Sequence, residues 1–220
     1  MRKTTVFQHK AVYYQSGPIS SDTMEIWFVL HGYGQLPEYF LRKFKALEGR
    51  DRVIVAPGGL SRFYLEGFSG RVGSTWMTKE ERLLDINNYI SYLDSVADQV
   101  VPLSSSEIRI TLLGFSQGSA TICRWAEKLS FPFDRLILHS GAFPPDIDFS
   151  GLSEKLHAKE VYMLRGTDDE FINEERKKEQ NELIRKLNVE VKQIEFQGKH
   201  DIDIQSLKAI IESEPLSKKR

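Results

Sequence analysis

The chain has 220 residues, enough for one sizeable hydrophobic core and too few for two comfortable domains, so a single domain over 1–220 is expected. Lys and Arg number 30 against 31 Asp and Glu, a formal net charge of −1, which offers neither the basic balance of a nucleic-acid binder nor a field of one sign. A single cysteine, Cys123, excludes an intramolecular disulfide, and no run approaches the ~18 apolar residues of a membrane span.

The chain opens with Arg2 and Lys3, but no apolar run follows them, so the start does not read as a secretory signal and a cytoplasmic protein is expected. Residues 5–16 carry a strand signal in Val6, Val12, Tyr13 and Tyr14. The run 26–30 (Ile-Trp-Phe-Val-Leu) is apolar on every side, as in a strand buried on both faces, and stops at His31-Gly32-Tyr33-Gly34. Pro37 is well placed to open a helix running to about Leu47. The run 52–56 reads as a second buried strand, ended by Pro57-Gly58-Gly59. From there to Met77 lies a Gly- and Ser-rich stretch with Phe63, Tyr64, Phe68 and Trp76, expected to be a long irregular loop.

Thr78-Lys79-Glu80-Glu81 has the pattern of a capping box. The helix it should open carries Leu83, Ile86, Ile90, Leu93, Ala97 and Val100 at spacings of three and four. An apolar strand over 108–113 leads into Gly114-Phe115-Ser116-Gln117-Gly118, and a helix over about 117–129 follows, with Cys123 as a small apolar residue inside it. Strands are expected at 135–138, 160–164 and 189–196, ending at His139-Ser140-Gly141, Arg165-Gly166-Thr167-Asp168-Asp169 and Gln197-Gly198-Lys199-His200. A charged helix over about 173–187 should pack Leu183, Ile184 and Leu187 inward and turn its charges to solvent. A last helix spans about 203–212, and the tail through Arg220 is expected to fray. Alternating strands and helices argue an α/β domain with a mostly parallel central sheet and helices on both faces, whose sites form beyond the carboxyl ends of the strands.

Strand, G-x-S-x-G, helix is the setting of a nucleophile elbow. The turn is so tight that the serine takes a strained backbone conformation and the flanking residues must be small. The helix then aims its N-terminal N–H groups at the serine, so the N–H of Gln117 can stabilise an oxyanion. A serine hydroxyl needs a base, and the base needs a third group to orient it. Of the five histidines, His139, His157 and His200 follow Ser116, and only His200 follows every plausible acid, which makes it the expected base. Asp168 and Asp169 stand side by side at a strand end, and spacing alone does not say which faces the imidazole. The loop His31–Gly34 can supply a second oxyanion N–H, with His31 itself in a structural role.

Leu30-His31-Gly32-Tyr33-Gly34, Gly114-Phe115-Ser116-Gln117-Gly118, Gly166-Thr167-Asp168-Asp169 and Gly198-Lys199-His200 together resemble the phospholipase/carboxylesterase family of α/β-hydrolases, which includes acyl-protein thioesterases and small bacterial carboxylesterases. The resemblance spans nearly the whole chain. It implies Asp169 as the acid and the Tyr33 N–H as the second oxyanion donor; separately, no large lid insertion fits in a chain this short. Gln35, Ser119 and Phe171-Ile172-Asn173 depart from the family's usual aspartate, second glycine and hydrophobic-proline ending. Those departures leave the subfamily, and so the substrate, open.

These readings add up to a serine hydrolase that cleaves carboxylic ester or thioester bonds of small or single-acyl-chain substrates through an acyl-enzyme. Ser116, Asp169 and His200 would be catalytic, and Tyr33 and Gln117 would form the oxyanion hole. Phe63, Tyr64, Trp76 and Phe143 would line an apolar acyl pocket, with the segment 141–149 beside it. No metal-ligand spacing and no dinucleotide or P-loop motif appears, so no cofactor is expected. A peptidase or lactone hydrolase on the same scaffold would show the same motifs. A non-catalytic binding module is the reading from a different class, and the intact order of serine, acid and histidine speaks against it.

Overall fold

The computed structural model describes residues 1–101 and 108–213, so the tail expected to fray lies outside the described residues. Its centre is a seven-stranded sheet. In chain order the sheet strands are β1 (Tyr13–Gln15), β2 (Glu25–Leu30), β3 (Arg52–Pro57), β6 (Arg109–Phe115), β7 (Arg135–His139), β8 (Glu160–Gly166) and β9 (Lys192–Phe196). They lie side by side in the order β1-β3-β2-β6-β7-β8-β9. Only β1 runs antiparallel, against β3. The remaining pairings are all parallel.

Every residue of β2 is buried, as a run apolar on both faces requires. Alternation along that strand sends its side chains to two different cores. Ile26, Phe28 and Leu30 belong to the core that α2 (Arg82–Val100), α3 (Gln117–Lys128), α4 (Phe149–Leu156) and α5 (Glu174–Leu187) cover on one face. Trp27 and Val29 meet α1 (Pro37–Arg42) and α6 (Ile204–Ser213) on the other. Pro37 sits in the first turn of α1, as its fixed φ favours, but the α-helix is short and ends in a 3-10 turn at Lys45–Leu47. The strand signal over 5–16 becomes only the three residues of β1, because that edge strand pairs on one side alone.

Two expectations are corrected. The stretch before Met77 is not an irregular loop but an antiparallel hairpin, β4 (Ser61–Glu66) and β5 (Ser69–Thr75). Gly67 supplies the positive φ of its turn, and Gly70 has another near the start of β5. The capping box at Thr78 does not form: α2 starts at Arg82, and the residue before it, Glu81, is left-handed with no side-chain cap. Tertiary partners take the groups the box would use, since Asp85 accepts from the Thr78 N–H and the Glu81 carboxylate pairs with Arg2. With the helix start displaced, Leu83 faces solvent, while Ile86, Leu93, Ala97 and Val100 pack inward as the periodicity predicts.

Candidate active site

The elbow is built by close approach. A Cβ at Gly114 would stand 2.3 Å from the carbonyl oxygen of Gly118, and one at Gly118 would stand 2.2 Å from that of Leu30. Neither position admits a side chain, so the strand and helix converge and leave Ser116 at φ 53, ψ −117, a strained conformation for a residue with a side chain. The preceding loop presses against it, since a Cβ on Gly32 would meet that of Ser116 at 3.2 Å. Ser119 fills the place where a second glycine was expected, and its hydroxyl donates to the Gly114 carbonyl at 2.7 Å.

His200 Nε2 lies 2.9 Å from Ser116 Oγ, and Nδ1 lies 2.8 Å from Asp169 Oδ2. An ionised carboxylate only accepts, so the imidazole carries its proton on Nδ1 and leaves Nε2 free to take the serine's. The Asp169 side chain is fully buried, and its other oxygen accepts from the Phe171 N–H at 3.0 Å. Asp168 points away to Gln197, whose amide donates to it at 2.9 Å, so the structure brings Asp169 to the histidine and not its neighbour. The imidazole ring is gripped between Phe115 and Phe171, with ring centroids 5.0 and 4.7 Å away. Phe171 belongs to the segment noted above only as a departure from a motif.

The N–H groups of Tyr33 and Gln117 have no hydrogen-bond partner among the described residues, whereas that of Gly34 is taken by Ser74. Two free donors on the two loops that meet at Ser116 are what an oxyanion would bind. The Gln117 side chain is fully engaged elsewhere. Its amide bonds Thr75, Trp76 and Met77, tying the end of the hairpin to the elbow helix.

His31 and His139 are structural. His31 Nδ1 donates to Gly32 O, its Nε2 accepts from the Gly59 N–H, and burial lowers its pKa to about 4. His139 Nε2 accepts from the Asp203 N–H, and burial likewise lowers its pKa to about 4. His157 caps the end of α4, far from this chemistry in the fold.

A cavity of about 260 Å³ opens beside Ser116 and His200. None of the four residues expected to line it does so. Trp76 is buried beneath the site, donating its indole N–H to His31 O. Phe63 stacks on Tyr33, and Tyr64 is exposed on the hairpin. Phe143 is buried, with its backbone held by the Gln180 amide. Of the segment 141–149, Gly141 and Ala142 do reach the cavity. The other walls come from Ala120, Met163, Phe171 and Ile172, and from Arg165, Arg176, Lys177 and Gln180. Sequence reasoning missed this polar wall because the charges of α5 read as a solvated face. Among the described residues, no group of three or more His, Cys, Asp and Glu is arranged to hold a metal, and no helix is long and apolar enough to cross a membrane.

Against known proteins, the family described as phospholipase/carboxylesterase matches residues 28–215. No curated protein matches. Solved structures do: acyl-protein thioesterase 2 of Zea mays superposes with a TM-score of 0.67 at 13% identity, covering 93% of this chain and 97% of that one. A phospholipase/carboxylesterase of Dyadobacter fermentans gives 0.65 at 15% identity, covering 94% and 98%. The Bacillus cereus carboxylesterase gives 0.62 at 13%, covering 92% of each. At such identities these likenesses establish the fold, an α/β-hydrolase sheet with its helices.

Proposed function

Since the chain belongs to the phospholipase/carboxylesterase family, we propose that it is a single-domain serine hydrolase that cleaves small carboxylic esters, and thioesters by the same steps. The observation that carries the reading is the chain of contacts from Asp169 through His200 to Ser116, at 2.8 and 2.9 Å.

In that reading His200 Nε2 takes the hydroxyl proton as Ser116 Oγ attacks the carbonyl carbon. The negative charge moves to the carbonyl oxygen, where the N–H groups of Tyr33 and Gln117 receive it. Collapse of the tetrahedral intermediate breaks the bond to the leaving group, which takes the proton from His200. The acyl group stays on Ser116. Water then repeats the sequence, giving its proton to His200 and releasing the acid. Asp169 holds the imidazole in the tautomer and orientation this needs, and supports the imidazolium that forms twice.

A cavity of about 260 Å³ is below the ~300–1,000 Å³ of sites that take drug-sized ligands, which favours short acyl groups.

The test is hydrolysis of p-nitrophenyl esters from acetate to decanoate by the wild type and by Ser116→Ala, with fluorophosphonate labelling alongside. The wild type is expected to turn over the short esters and label at Ser116. The variant should lose at least ~10⁴-fold in kcat, the scale on which removing a triad member acts. A wild type that neither hydrolyses any ester nor labels would sink the reading.

A further inference from the structure

The cavity beside Ser116 has an unusual charge balance. Arg165, Arg176 and Lys177 line it, and no Asp or Glu does, in a chain whose net charge is −1. Two of the three cations are tied to carboxylates that lie outside its walls. Arg165 Nε is 3.5 Å from Glu195, and Lys177 Nζ is 2.8 Å from an almost fully exposed Glu174. Arg176 has no carboxylate partner among the described residues. Its guanidinium donates to the carbonyl of Phe171, the residue whose ring grips His200. That single bond places the charge at the rim and leaves most of its five donors unused. Gln180, one turn further along α5, lines the same wall with its amide held by the Phe143 backbone, while Met163, Ala120 and Ile172 keep the floor apolar.

An apolar floor with one cationic side is built for a short chain with an anionic end. Resting on the hydrolase reading above, we propose that the substrate is an ester that carries a carboxylate a few bonds from the scissile group, recognised chiefly by Arg176. Arg165 and Lys177 contribute field across the same wall. A guanidinium fork matches a carboxylate in two parallel hydrogen bonds, which an ammonium or a neutral amide cannot reproduce. Hydrolysis itself needs nothing new: water supplies the hydroxyl of the acid and the proton of the alcohol, and the recognised carboxylate is unchanged.

The test compares matched esters that differ only in that charge. Mono-p-nitrophenyl adipate against its methyl ester puts the carboxylate on the acyl side, and para-acetoxybenzoate against its methyl ester puts it on the leaving group. In each case the uncatalysed rate is subtracted. At least one acid is expected to exceed its methyl ester by ~10–100-fold in kcat/KM, the range of a hydrogen bond to a charged group. Which pair responds shows which side of the ester faces α5. The preference should fall toward unity in Arg176→Gln, invert in Arg176→Glu, and shrink as salt is raised from about 0.01 to 1 M, where the screening length drops from ~30 to ~3 Å. An exposed side chain in the first turn of a helix tolerates both changes, and Glu is favoured there. Arg71→Gln, on the tip of the hairpin, removes a charge of the same sign and should leave the ratio as it was. Neutral esters hydrolysed as well as their acids, or an acid preference that survives Arg176→Glu, would overturn the proposal while the esterase reading stood. Absence of turnover on all four esters, with no fluorophosphonate labelling, would remove both.

Discussion

The two ends of the central sheet both bury charge, and they use it in opposite ways. At the carboxyl end, Asp169 is buried against a histidine whose other nitrogen faces an accessible serine. At the amino end, Glu25 is buried between two arginines: Arg52 Nε is 2.6 Å away and Arg135 is 3.4 Å away. Arg135 in turn bonds Glu160 at 2.8 Å, and Thr111 donates to Glu25 at 3.2 Å. The amino-end network is closed, each charge held by a partner of the opposite sign. The carboxyl-end chain is open: its last member, Ser116, lines the cavity. The difference teaches that buried charge in this fold is not by itself a sign of chemistry. What marks the site is a chain of polar groups that ends at a cavity.

The largest effect that would sharpen this contrast is at the open end. Asp169→Asn should lower kcat by ~10⁴-fold, because an amide on Nδ1 permits the wrong tautomer, and Asp168→Asn should change it little. Steady-state kinetics on a short ester decide between them, and the reverse ranking would break the assignment. At the closed end the effect should fall on stability instead. Glu25→Gln leaves the buried Arg52 guanidinium without its anion and Arg135 with Glu160 alone, and should cost ~3–5 kcal/mol in urea unfolding. Below the melting range its kcat should match wild type. Lost activity in a fully folded Glu25→Gln protein would mean that the two ends are coupled.

A smaller effect separates the two buried neutral histidines from His200, the proposed base. His31 and His139 are held neutral in the fold, with pKa values lowered to about 4 against an unfolded value near 6.5. Between those values the unfolded chain binds more protons than the native one, so stability rises with pH across the window. It is fully present above ~6.5, declines as pH falls toward 4, and loses nothing further from these groups below that. Urea midpoints measured from pH 7 to 4 should drop, and His139→Gln should flatten the slope. A slope unchanged in that variant would show that His139 is not among the groups responsible.

Much of this was readable before any coordinates, for reasons that lie in particular residues. The run 26–30 announces itself as a strand because burial on both faces leaves no polar position among those five residues, and the elbow because only glycines fit at 114 and 118. Chain order picked out His200, but the choice of Asp169 over Asp168 needed the family pattern, since both stand at the same strand end. The amino-end network was invisible. Arg52, Arg135 and Glu160 each begin an apolar run and look like a charged boundary with solvent. Only strand register sets Glu25 opposite Arg52 and Arg135 opposite Glu160. The hairpin was missed because β4 is mostly exposed and lacks an apolar face of its own to alternate. The true cavity wall was missed because a helix pattern says which face is charged, not what that face looks at.

The position of β9 has one more consequence. It is the last strand among the described residues and lies at the edge of the sheet, paired to β8 alone, and the loop that follows it carries His200. Serine and base are 84 residues apart, so the site has a high contact order. As the chain emerges from the ribosome, the elbow can fold long before its base has been made. If Ser116 is the nucleophile and His200 its base, as proposed, the nascent molecule carries a latent nucleophile that docking of β9 arms, and activity should report completion of the fold.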